Sequence, residues 1–145
     1  MKRLVHEDDG STLPLIAFYA FLSLVLILLV VAASSLYLER KRLFTLADGA
    51  ALVGAEAFDL DRVQLTPDGP RPILESPDVA TAVAGYLANA PTAGFESLSL
   101  DRAQTVDGRS ATVTLSARWQ PPIVSLLVPE GFPIEVTALA RSVFD

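Results

Sequence analysis

LPLIAFYAFLSLVLILLVVAASSLYL, residues 13–38, carries no Asp, Glu, Lys or Arg, and the uncharged run reaches back to Ser11. A bilayer core of about 30 Å takes roughly 20 apolar residues in helical form. This run is longer, so it can span with some tilt. A helix lying on the core of a soluble domain would show a polar stripe, and none is present. The run therefore predicts a transmembrane helix at residues 11–38.

On its N-terminal side lies a short tail, residues 1–10, with Lys2 and Arg3 against Glu7, Asp8 and Asp9. Ser11 and Thr12 can cap the helix, and Pro14 suits its first turn, where a missing N–H costs nothing. Ala32-Ala33-Ser34 could pass as a signal-peptidase site. A secretory h-region runs only about 7–15 residues, however, so a retained anchor is expected.

On the other side Glu39-Arg40-Lys41-Arg42 follows directly. No breaker appears before the chain reaches Phe58. Leu43, Leu46, Ala47, Ala50, Ala51, Gly54, Ala57 and Phe58 recur at spacings of three and four, the mark of an amphipathic helix. Residues 39–58 thus extend the same helix, which at about 45 residues would be some 65 Å long.

Residues 59–76 hold Pro67, Pro70, Pro72 and Asp68-Gly69, and read as a linker with turns. Ser76-Pro77-Asp78 starts a second helix, with Ser76 as cap and Asp78 near the positive end of the dipole. That helix, Pro77 to Ala90, places Val79, Val83, Tyr86, Leu87 and Ala90 on one face. Phe95 to Val106 reads as an irregular strand, and Asp107-Gly108 as a two-residue hairpin turn. From Ser110 to Trp119 the alternation is clean. Ala111, Val113, Leu115, Ala117 and Trp119 form one face, and Ser110, Thr112, Thr114, Ser116 and Arg118 the solvent face. A third strand, Ile134 to Phe144, turns Ile134, Val136, Ala138 and Ala140 inward. The fold class is α+β: a long N-terminal transmembrane helix extended outside the membrane, then a small head, residues 77–145, with one helix on about three antiparallel strands. The second helix is expected to cover the inner face of the sheet.

The chemistry available is narrow. The formal charge is −6, and beyond Arg42 the only basic residue type is Arg. So acidic a region, without a cationic patch, argues against nucleic-acid binding. There is no cysteine, which excludes disulfides, Cys zinc sites and thiol nucleophiles, and the one histidine, His6, is in the tail. No serine has a base near it in the pattern, so no nucleophile is set up for activation. No catalytic residue, cofactor or patterned metal loop is expected, and the chain reads as a non-enzyme.

From Asp8 to Phe58 the sequence resembles the TadE/TadG-like proteins of Tad (Flp) pilus assembly. An acidic residue and Gly10 precede the apolar run, Leu36-Tyr37-Leu38 and a basic cluster follow it, and Leu46-Ala47-Asp48-Gly49-Ala50-Ala51-Leu52-Val53-Gly54-Ala55 closes it. That last element is similar to the family's ADAAALAGA signature. The resemblance implies a pilin-like, single-pass protein of the bacterial cytoplasmic membrane, with its N-terminus inside and its soluble domain outside. Flanking charge alone points the other way, because Arg40, Lys41 and Arg42 follow the span; long domains can translocate regardless. Some members are cut by a prepilin peptidase after a glycine with a glutamate five residues later. Here the fifth residue after Gly10 is Leu15, so processing at Gly10 is disfavoured.

Two surfaces are candidates for contact. Ala47, Ala50, Ala51 and Gly54 form a small-residue face that permits close helix approach. Its partner is either another subunit, in a homo- or hetero-oligomer through the long helix, or the protein's own sheet. The apolar loop with Ile123, Leu126, Leu127 and Val128 either meets a bilayer or partner or folds over the sheet. Asp48 is expected to be solvated, and Arg40, Lys41 and Arg42 to flank the membrane. The partners implied are membrane lipids and, through the resemblance, other membrane proteins of a pilus or secretion apparatus. The function expected is a minor pilin-like or assembly subunit; the alternative is a free-standing membrane-anchored surface module for binding or scaffolding.

Overall fold

The computed structural model describes residues 12–67, 69–122, 125 and 129–142. A single helix, α1 (Leu13–Ala55), takes up the apolar run and its extension without interruption. At 43 residues it is about 65 Å long. Pro14 lies in its first turn, and no proline follows inside it. A 3₁₀ turn (Leu60–Arg62) comes next, capped by Asp59, whose Oδ1 accepts from the Asp61 N–H at 3.0 Å.

The stretch expected to be a linker with turns contains a small hairpin, β1 (Gln64–Thr66) paired antiparallel with β2 (Gly69–Arg71). Pro67 and Pro70 do not prevent it, because a two-stranded ribbon has outer edges where a missing N–H is harmless. Helix α2 (Ser76–Asn89) follows, and then β3 (Glu96–Thr105), β4 (Ser110–Trp119) and β5 (Phe132–Arg141) form one antiparallel sheet in the order β3-β4-β5. The architecture is thus a long apolar helix followed by a small α+β head with one helix and antiparallel strands.

Three local expectations need correction. Ser76 is the first helical residue of α2 and does not cap it. Its hydroxyl donates to the Thr105 carbonyl and accepts from the Thr105 N–H, both at 3.2 Å, which pins α2 to the end of β3. The Asp107-Gly108 turn sits in a loop of residues 106–109, since the last β3–β4 pair is Thr105 with Ala111. The outer face of β4 is not uniformly solvated: Thr114 is 6% exposed and Ser110 is also buried. Thr114 lies between Arg102 and Thr137 on the flanking strands, and its hydroxyl meets that of Thr137 at 3.0 Å. A central strand hides its polar face once both neighbours pair.

The inner face is as the alternation predicts. Ala111, Val113, Leu115 and Ala117 of β4 and Ile134, Val136, Ala138 and Ala140 of β5 are buried. What covers them differs from expectation. Helix α1 lies against β4 and β5, while α2 lies against β3 and α1. Leu43, Leu46, Ala47, Ala50, Ala51 and Ala55 therefore belong to the core of the head, with Val79 and Val83 of α2 beside them. The three/four spacing read from the sequence is the contact stripe of this packing.

Candidate functional site

The candidate site is the junction where α1 changes from a bare apolar rod to a core element of the head. From Leu13 to Val31 the large apolar side chains of α1 other than Leu28 are exposed, Leu13 at 72% and Leu29 at 63%. Among the described residues nothing covers the most apolar stretch of this helix, which is long and apolar enough to cross a membrane. Exposure of this kind is unfavourable in water by about 25 cal/mol per Å² of apolar surface, and lipid removes that cost. Tyr19 and Tyr37 lie about 27 Å apart along the helix, close to the thickness of the hydrocarbon core. Both are exposed, as tyrosines at the two interfaces of a span would be.

The small-residue face lies above this span. Ala47, Ala50 and Ala51 are 0% exposed, and Gly54 is buried with them. The protein's own head fills this surface. A methyl group at Gly54 would come within 3.1 Å of Ala111 Cβ and Val79 Cγ1 and 3.2 Å of Val83 Cγ2. One at Gly49 would strike the Tyr86 hydroxyl. Small residues are needed because α2 and β4 press on the helix together. Asp48 is exposed on the opposite side.

Strand β5 ascends beside α1. Pro133, Ile134 and Glu135 line a groove with Ala33, Leu36, Tyr37 and Arg40, and Arg141 lines a smaller one with Leu52 and Glu56 at the far end. Strand β4 descends to end at Trp119, whose indole N–H donates to Ser35 Oγ at 3.2 Å. Trp119 is also next to Phe132, with ring centroids 6.1 Å apart. Gly131 holds this corner: its φ is +64°, and a Cβ there would lie 2.7 Å from the Trp119 carbonyl oxygen, so only glycine fits. Sequence spacing did not bring Trp119 and Ser35 together.

The basic cluster divides around the helix. Arg42 reaches Glu39 at 3.8 Å, and Arg40 and Lys41 line a groove with Tyr37, Phe44 and Glu135. The candidate loop residues Ile123, Leu126, Leu127 and Val128, and Gly10, lie outside the described residues. At the far end of the head Asp107 accepts from the backbone N–H of Arg109 at 2.9 Å and of Ser110 at 2.7 Å. These bonds lower its pKa from 3.8 to about 2. They make it a turn-forming residue rather than an acid–base group. Among the described residues no cluster of His, Asp or Glu is arranged to hold a metal.

Residues 10–57 match the Tad family model, described as Flp pilus-assembly TadE/G-like. The matched segment is about a third of the chain and coincides with α1 nearly end to end. No curated protein and no solved structure matches the chain. The apolar helix and the family match together support a pilus-related membrane component.

Proposed function

We propose that the protein is a non-enzymatic, single-pass subunit of a Tad/Flp-type pilus or secretion apparatus, either a minor pilin-like component or an assembly factor. Its N-terminus is inside, and its head faces outward from the cytoplasmic membrane. The observation that carries this reading is the coincidence of the family match with α1. Within the matched segment α1 is one continuous helix whose lower part is bare and whose upper part buries one face against the head. Such a helix anchors and positions; its exposed apolar surface is what lipid and neighbouring membrane helices can occupy.

Orientation rests on the resemblance against the charge of Arg40 to Arg42, since domains of this length can cross despite flanking charge. The chain has no cysteine, so single introduced thiols report without background. Leu65→Cys, at a position 89% exposed in the β1–β2 hairpin, should react with a membrane-impermeant maleimide in intact spheroplasts. Labelling only after lysis would reverse the orientation. Val25→Cys, on the bare part of α1, should cross-link in native membranes to another component of the apparatus. If cross-linked products contain no such component, the assembly reading fails.

A further inference from the structure

The head is tied to α1 at a level that belongs to the membrane. The uncharged run ends at Leu38, and Glu39 and Arg40 are the first charges beyond it. The Trp119 indole is bonded to Ser35, inside that run. Filling the hydrocarbon core from Leu13 upward takes about 20 residues and ends near Ala32. Placing the core between Tyr19 and Tyr37 puts Ser35 just within its border. Either way Ser35 falls in the boundary layer where acyl chains give way to headgroups, and Trp119 is fixed at the same height.

The residues at that height have the composition such a layer favours. Phe132 is 48% and Tyr37 66% exposed, and Trp119 is half-buried beside Phe132. Aromatic rings, Trp and Tyr above all, favour the membrane–water interface. Trp119 carries its only polar atom already satisfied by Ser35, so its ring can enter the layer without stranding a donor. One turn higher, Arg40 and Lys41 open onto a groove at the height of lipid phosphates. Strand β5 starts at this level and runs away from it, so the sheet stands on the membrane by one end.

We propose that Trp119, Phe132 and Tyr37 form a foot by which the head is seated in the interfacial layer of the leaflet from which α1 emerges, with Arg40 and Lys41 above it facing anionic headgroups. The occupant of this end of the head is lipid. The inference rests on α1 spanning the membrane.

Trp119 is the only tryptophan, so the unmodified full chain carries its own probe. The protein is reconstituted in phosphatidylcholine–phosphatidylglycerol vesicles, floated on a gradient, and its emission is read with lipids brominated near the ester end or near the methyl end of the acyl chain. Floated protein should show blue-shifted emission that is lost strongly to the shallow bromines and weakly to the deep ones. Emission untouched by either lipid but lost to aqueous iodide would mean that this end of the head is open to water. Emission untouched by lipid and iodide alike would mean that protein covers it, from a second copy or the head itself. Either result overturns the foot while leaving the anchor intact. Protein that fails to float removes the anchor reading and the foot with it. A second chain, Trp119→Phe with Phe58→Trp, moves the probe to the far end of the head and should lose no emission to brominated lipid. Equal loss there would show the head lying flat, which also overturns the proposal.

Discussion

The Trp119 indole N–H donates to Ser35 Oγ at 3.2 Å across a sequence separation of 84 residues, joining the end of β4 to the point where α1 leaves its bare stretch. The bond closes the lower end of the head against the helix. Trp119→Phe and Ser35→Ala should each cost about 0.5–1.5 kcal/mol, the net worth of one such bond. The double variant should cost clearly less than their sum, since both remove the same interaction. Thermal unfolding in detergent micelles measures all three; full additivity would show that the bond carries no energy.

Leu43 is 0% exposed in the core, whereas its neighbour Phe44 is 48% exposed. Leu43→Ala should cost about 2–5 kcal/mol through the cavity it leaves, enough to bring a small head close to unfolding. Phe44→Ala should cost far less. By the same logic a fragment of residues 60–145 lacks the helix that covers β4 and β5. Its far-ultraviolet dichroism should be that of a largely unfolded chain. A cooperative melt from this fragment would contradict the packing described.

At Gly54 both α2 and β4 approach α1 closely. Gly54→Leu should destabilise by about 1–3 kcal/mol or more through overpacking and lower the amount of protein in the membrane. Gly85 has open space around it, and Gly85→Ala in α2 should be neutral or stabilising by several tenths of a kcal/mol. Quantitative immunoblotting of membranes, beside melting of the purified variants, distinguishes the two sites.

Thr114 is on the outer face of the sheet and yet 6% exposed, with its hydroxyl on Thr137. Thr114→Ala should therefore cost about 1 kcal/mol, below Leu115→Ala at about 2–5 kcal/mol. A loss at Thr114 equal to that at Leu115 would mean that the strand faces are exchanged.

Asp107 is held ionised by the N–H groups of Arg109 and Ser110, and its pKa falls from 3.8 to about 2. A depressed carboxylate stabilises the fold fully above its unfolded value and loses that contribution as pH falls through the folded one. The unmodified protein should therefore lose stability between about pH 4 and pH 2. Asp107→Asn, which can still accept both bonds but does not titrate, should lose less over that window. Melting curves of the pair across this range isolate the residue from the other carboxylates.

Much of the fold was legible because it is written in local periodicity. The uncharged run to Leu38, the three/four spacing from Leu43 to Gly54 and the alternation from Ala111 to Ala117 each name their own buried face. What was not legible depends on tertiary arrangement. Spacing shows that Ala47, Ala50, Ala51 and Gly54 must be approached closely, but not that the protein's own head makes the approach. The apolar stripe of α2 could serve any neighbour, and it is α1 that lies along β4 and β5. The immediate neighbours of Ser76 make it a cap, but a partner 29 residues away claims its hydroxyl. Thr114 looks solvated until the strands on both sides are in place.

Helix α1 has no hinge between membrane and head. It runs from Leu13 to Ala55 with no proline beyond Pro14 in its first turn, and its upper turns are part of the core on which the sheet is folded. The head consequently has no azimuth of its own. A twist of the span by one residue's angle, about 100°, would swing the outer face of the sheet through the same arc. A push along the axis would lift the whole head as one piece. Forces applied to the bare half would pass to the head through continuous helix and packed core, so the protein is built mechanically as a crank rather than a tether.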